Sequence, residues 1–164
     1  DVGTYRGLTD VALRDAIIAG RVLGPRMFVA GAYLTTPGGG GEINGLPEGR
    51  VPPDMRLGVG RGPEELAEKA EALFDGGIDF CKLIVTGAVL AIGTEVEAIE
   101  LTPGEIRAVV EVAERHGSYA TAHAHGAAGI KAAIRNGVRS IEHASLIDDE
   151  GIALAKERGV WLVM

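Results

Sequence analysis

The 164-residue chain holds one cysteine, Cys81. A lone thiol cannot close an internal disulfide, so the chain is compatible with a reducing compartment. Aromatic residues make up only 4% of it, against 46% apolar residues, so alanine, valine, isoleucine and leucine must fill the core. That profile fits a soluble α/β protein. No run is long enough to span a bilayer, and no basic-then-apolar leader opens the sequence. There is no positive excess either: 16 Lys and Arg face 23 Asp and Glu, a net charge of −7. Phosphate recognition needs a basic patch, so the balance argues against nucleic acid as a partner. It is ordinary for a cytoplasmic enzyme.

Glycine is plentiful, at 25 residues, and it punctuates the chain. A helical pattern runs over 10–19, with Thr9 as N-cap and Gly20 as stop. A short buried strand is expected at 27–30. Residues 31–62 are rich in Gly and Pro and exceed ordinary βα loops of roughly 2–6 residues. They read either as a disordered insertion or as a loop over a catalytic face. A helix starts at Pro63 and stops at Gly76-Gly77. Thr102-Pro103-Gly104-Glu105 is a capping box with Pro at the first helical position. Further helices are expected near 127–136 and 149–158, with strands at 119–124, 139–143 and 160–164.

Gly77, Gly117, Gly137 and Gly159 each close a helix just before a strand, and no hairpin signal intervenes. Alternating βα units imply a parallel sheet. No Gly-x-Gly-x-x-Gly opens a helix after a strand, and the Gly38–Gly41 run lacks a following Lys-Ser/Thr, which argues against dinucleotide and phosphate-loop folds. A complete (β/α)8 barrel takes roughly 250 residues. The chain opens on Asp1 and ends within an apolar run, so both ends read as cuts through secondary structure.

Polar residues stand in the strands. Such places are costly for polar groups, and strand C-terminal ends are where a parallel barrel builds its active site. By alternation, Tyr119, Thr121, His123 and His125 share one face, and Ala120, Ala122 and Ala124 the other. Phe80, Lys82, Ile84 and Thr86 share a face, as do Ile141, His143 and Ser145. A lone histidine in a strand is more often a hydrogen-bonded core residue than a ligand. Two of them with a buried lysine, on successive strands at one level, point to a metal, and imidazole suits zinc. Lys82 has three readings: an amine that snorkels to water, a Schiff-base nucleophile, or an amine carboxylated by CO2 to a carbamate. Burial lowers a lysine pKa and leaves a neutral amine that can take up CO2. The neighbouring histidines favour the carbamate.

The segments around Lys82 (81–90), His123 and His125 (121–126) and His143 (140–145) resemble the amidohydrolase superfamily. The closest likeness is to its prolidase-like branch, related to imidazolonepropionase and containing Xaa-Pro dipeptidases. Residues 24–31 resemble that branch's third strand and its approach. The resemblance implies a (β/α)8 barrel, here a fragment from about the second or third strand to the seventh, forming one partial catalytic domain over 1–164. It implies that Lys82 is a carboxylated bridging lysine, and that His123 and His143 are metal ligands on the next two strands. His125 would orient a ligand or touch substrate. His116, at a helix C-terminus, reads as a surface residue.

The family's first strand carries a His-x-His pair and its eighth an aspartate; neither has a counterpart in this sequence. A histidine frequent in the loop after the third strand is replaced by Gly40. One metal site, of Lys82, His123 and His143, lies wholly within the chain. The implied reaction is hydrolysis of amide C–N bonds by water ionised on one or two divalent cations, zinc first among them. The substrates would be dipeptides or N-acyl amino acids, with Xaa-Pro among them. Two other expectations stand beside this. One is an inactive barrel fragment that associates through open sheet edges with a partner or as a homo-oligomer. The other is a Schiff-base lyase using Lys82.

Overall fold

A computed structural model describes residues 1–47 and 49–164. Four strands make one parallel sheet in chain order: β1 (Cys81–Ile84), β2 (Ala120–Gly126), β3 (Ser140–Leu146) and β4 (Trp161–Val163). Helix α3 (Pro103–Arg115) links β1 to β2, α4 (Ala127–Arg135) links β2 to β3, and α5 (Asp149–Arg158) links β3 to β4. Helices α1 (Thr9–Ile18) and α2 (Pro63–Asp75) precede the sheet. This is the strand–helix succession of a (β/α) barrel, as the glycine rhythm predicts. The four glycines after α2, α3, α4 and α5 have φ between 65° and 96°, a conformation that favours residues without a Cβ.

The alanine face of β2 packs as expected. Ala120, Ala122 and Ala124 join Cys81, Leu83, Val85 and Ile141 in one core with Leu66, Ile106, Val109, Ile130 and Ile134 of the helices. Small side chains on the strand let the helices come close. Cys81 is wholly buried there, and burial pushes its thiol up to about 12, so it packs as an unreactive apolar group.

Two local expectations fail. Thr9 is not the N-cap of α1: Leu8 holds that position without a side-chain cap, and the Thr9 hydroxyl donates back to Arg6 O. Residues 27–30 form no strand. Gly31 turns at φ 67°, its N–H held by Asp10 Oδ2 at 2.9 Å, and this breaks the extended run. Pairing resumes beyond it as single parallel bridges, Ala32 to Thr4 and Leu34 to Leu83. Within the glycine-rich segment after it, Thr35, Gly39, Gly40, Gly41 and Glu42 are buried. That supports the catalytic-face reading over the disordered one.

The capping box at Thr102 is formed. Thr102 Oγ1 accepts from Glu105 N, and Glu105 Oε2 accepts from Thr102 N at 2.7 Å. Glu105 Oε1 also accepts from Gly62 N at 2.7 Å, tying α2 to α3. Burial opposes ionisation of Glu105, but the bonds from Thr102 and Gly62 outweigh it and hold the carboxyl below its usual range. A carboxyl depressed in the folded state stabilises above its unfolded pKa, and that stability is lost as pH falls through the folded pKa. Glu105→Gln should therefore flatten the acid limb of a urea-midpoint-versus-pH curve; a limb of unchanged slope would contradict this. Thr102→Ala should cost about 1 kcal/mol in urea unfolding at neutral pH.

Candidate active site

Parallel register decides which side chains share a cavity. Lys82 pairs with Thr121 and Thr121 with Ser140; Ile84 pairs with His123 and His123 with Glu142. Lateral neighbours point to the same side, so Lys82, Thr121, His123, Ser140 and Glu142 occupy the face opposite the helices. Lys82 is 3% exposed and His123 7%. The assignment of Ile141 to the polar face is therefore wrong: Ile141 lies in the helix-side core, and Glu142 takes the polar face. Glu142 lies on that face, where strand alternation alone did not put it, and lines a hollow with Thr121 and Ser140. The signal that could have found it is the glutamate of Ser140-Ile141-Glu142-His143, placed by register beside His123.

His143 still reaches the site, by a different route. From Ala124 to Gly126 β2 advances two residues, while β3 advances three, from His143 to Leu146. The extra residue is a bulge. His143 and Ala144 have φ of 75° and 48°, both left-handed in residues that carry a Cβ. Such a backbone costs on the order of 1–3 kcal/mol per residue and is concentrated at functional sites. Here it turns His143 back onto the polar face. The three imidazoles then form one cluster: ring centroids are 4.6 Å apart for His123 and His125, 4.7 Å for His123 and His143, and 5.0 Å for His125 and His143.

These three histidines and Lys82 line one cavity of about 480 Å³ with Gly40, Gly41, Ile84, Ala88, Val89, Leu90, Tyr5, Tyr33 and Val2. Gly40 thus lines the same cavity as Lys82 and the histidines. A Cβ on it would stand 2.8 Å from Ala88 N, so this loop can lie on residues 87–88 only as glycine. Its N–H donates to Glu100 Oε2 at 2.8 Å. His116 lies elsewhere: it is exposed at the end of α3, stacked on Phe74 at 4.2 Å with Nε2 2.6 Å from Glu71 Oε2.

Electrostatics favour neutral nitrogen donors. Burial lowers Lys82 to about 8, partly opposed by Glu142. Burial also lowers His123 to about 4; the Gly87 carbonyl opposes the shift, and His125, His143 and Lys82 add to it. His125 is lowered too, by burial first and then by His143, and His143 by burial first and then by Lys82, with Glu142 opposing. Lys82 Nζ and Thr121 Oγ1, register neighbours, are both buried without a hydrogen-bond partner. An orphaned buried amine is costly, and such a group marks a place where something else binds.

The imidazoles are donors of a kind that suits a zinc-type ion. Among the described residues, no group of three His, Cys, Asp or Glu side chains is placed to hold a metal ion. His123 Nε2 lies 3.2 Å from Gly87 O. A carbonyl only accepts, so Nε2 carries the proton and Nδ1 is left with the lone pair. His125 Nδ1 is 2.9 Å from Ser145 Oγ.

Parallel βα units that bring a lysine and histidines of successive strands to one cavity define an amidohydrolase-type centre. Residues 2–164 match the amidohydrolase family, and the chain belongs to it. It is 33% identical to the ochratoxinase of Aspergillus niger over 175 residues, covering 98% of this chain and 36% of that enzyme. The fold superimposes on a crystal structure of a Xaa-Pro dipeptidase with bound methionine at a TM-score of 0.92 and 38% identity, over 99% of this chain and 40% of that one. A prolidase complexed with N-methylphosphonate-L-proline matches at a TM-score of 0.86 and 30% identity, over 96% of this chain and 40% of that one. The chain thus spans 36% of the length of its curated relative and 40% of these two structures. The (β/α)8-barrel fold class stands on this likeness and on the parallel sheet.

Long-range proton–nitrogen NMR on histidine-labelled, metal-free chain should show His123 as the Nε2-protonated tautomer. A dominant Nδ1-protonated form would mean that Gly87 O does not set the ring.

Proposed function

We propose that residues 1–164 form one partial catalytic domain of an amide hydrolase, with one divalent cation held between Lys82, His123 and His143. The observation that carries this is the partnerless amine of Lys82, buried in the same cavity as three histidines. A pKa near 8 leaves part of the amine neutral at physiological pH. A neutral amine adds to CO2: the nitrogen–carbon bond forms, a proton leaves, and a carbamate with two oxygens remains. Thr121 Oγ1, itself without a partner, is the donor we assign to one of those oxygens.

When bound, a divalent ion of the zinc type lowers the pKa of water to about 7 and polarises a carbonyl. The chain's own residues prepare the place. His123 offers Nδ1 because Gly87 holds Nε2. The β3 bulge brings His143 to the same mouth. His125, hydrogen-bonded to Ser145, is the group we assign to orienting substrate or a ligand. The substrate class is a dipeptide or an N-acyl amino acid. Support comes from the relatives: one is named ochratoxinase, one is a Xaa-Pro dipeptidase, and one is a prolidase bound to a proline phosphonate. Zinc is the metal we expect from the imidazole donors.

The same neutral amine would suit a Schiff base, which borohydride reduction in the presence of a carbonyl substrate would trap on Lys82. Metal analysis separates the readings. Purified chain should bind zinc more tightly with bicarbonate than without it, and Lys82→Ala should lose most of that metal. Metal content indifferent to both bicarbonate and Lys82 would sink the carbamate-bridged site.

A further inference from the structure

The cavity has a second wall that the metal chemistry does not use. Tyr5, Tyr33, Ile84, Val89 and Leu90 line it, and no carboxylate or guanidinium of the described residues does. Its volume, about 480 Å³, lies in the range of small-molecule sites.

The aromatic part of the wall is fixed. Tyr5 and Tyr33 meet edge to face, with centroids 5.0 Å apart at 84°. The Tyr33 hydroxyl donates to Gly3 O at 3.1 Å, so its polar end is engaged and its ring is left to the cavity. Gly3 makes this approach possible: it has φ 121°, and a Cβ there would lie 2.4 Å from the Tyr33 ring.

The aliphatic part is presented outward. Val89 is 71% exposed and Leu90 95%, and Ile92 beside them is 71% exposed. A single exposed leucine is ordinary. Here three large apolar residues fall within four positions, and two of them, Val89 and Leu90, line the cavity. The loop holding them is pinned. Ala88 N donates to Thr94 Oγ1 at 3.2 Å, Gly87 N donates to Ala98 O at 3.2 Å, and Gly40 packs on Ala88. Little ordering entropy is then lost when something binds there.

We propose that this wall binds an apolar, uncharged acyl group of the amide substrate. The chain then favours N-acyl amino acids with long aliphatic or aromatic acyl chains over short or charged ones. The inference rests on the amide-hydrolase reading, because it places the acyl carbonyl beside Lys82 and the histidines. The occupant follows from the wall's continuity with that cavity, whose one amine, Lys82, is the group the proposed carbamate takes up, and from the absence of any charged side chain among Tyr5, Tyr33, Ile84, Val89 and Leu90.

The test is isothermal titration of the chain, metal-free and zinc-loaded, with N-octanoylglycine, N-acetylglycine and N-succinylglycine. A buried methylene strengthens binding by about fourfold. Partial burial of the octanoyl chain should therefore give at least a tenfold advantage over acetyl, with succinyl no better than acetyl. Leu90→Asp, at an exposed position, should cut the octanoyl advantage below threefold, while Leu90→Met should retain it; thermal melts establish that both variants fold. Equal binding of octanoyl and acetyl overturns the proposal, as does an advantage that survives Leu90→Asp. A concentration-dependent dimer that Leu90→Asp breaks, without octanoyl preference, also overturns it, because the patch then pairs copies of the chain. Zinc uptake without octanoyl preference sinks this inference alone. Octanoyl preference without zinc uptake supports the wall and counts against the metal reading.

Discussion

The buried amine of Lys82 is the constraint around which the rest is arranged. A lysine at 3% exposure cannot hold its charge at the usual cost, and its pKa falls to about 8. A shift of that size corresponds to about 3 kcal/mol against the charged form. In a chain this short, that is a sizeable share of the whole stability. Pairing the lysine with a close carboxylate would have relieved it, yet Glu142 exerts only a partial opposing effect. The fold tolerates the orphan because β1 is held in a sheet whose other face is a continuous aliphatic core. The two faces of one strand thus differ: Cys81 and Leu83 pack in the core, and Lys82 faces the cavity.

The β2–β3 register works with the same economy. Parallel strands fix side-chain direction two residues at a time, so one extra residue reverses a face. The bulge at His143–Ala144 uses this freedom. Without it, His143 would follow Ile141 into the aliphatic core, where an imidazole has no partner. With it, Glu142 and His143, adjacent in sequence, both serve the polar side. The cost is two left-handed residues. The strain is affordable because Ile141 and Ala144 on that strand are buried.

Much of this was legible in the sequence. Glycines after amphipathic stretches marked helix ends because left-handed C-terminal residues favour glycine. The box at Thr102 was legible because both of its side chains act on backbone groups within three residues. Local interactions leave local signatures. Two of the failures were non-local; the one at Thr9 was local, three residues from Arg6. Gly31 breaks the expected strand because Asp10, 21 residues earlier, holds its N–H. Thr9 misses the N-cap because its hydroxyl turns to Arg6 O. Glu142 and the true face of Ile141 depended on a bulge, and a bulge is set by the neighbouring strand. Family likeness picked out His143 where alternation gave the wrong reason for it.

The charge pattern of the cluster indicates what kind of guest it is built for. Four basic side chains share one cavity, all with lowered pKa values. A site meant to capture an anion would keep such groups cationic, by surrounding them with water or with hydrogen bonds to their charged forms. Here burial does the opposite, and at neutral pH the imidazoles present lone pairs. Lone pairs attract electrophiles: a metal cation for the imidazoles, and carbon dioxide for the amine. Addition of CO2 would convert the one group that repels a cation into one that attracts it. The nitrogen cluster, unsuited to a divalent ion while Lys82 is an ammonium, would then become suited to it. Metal loading and lysine chemistry are on this view a single coupled event, and the depressed amine is what makes the coupling feasible near neutral pH.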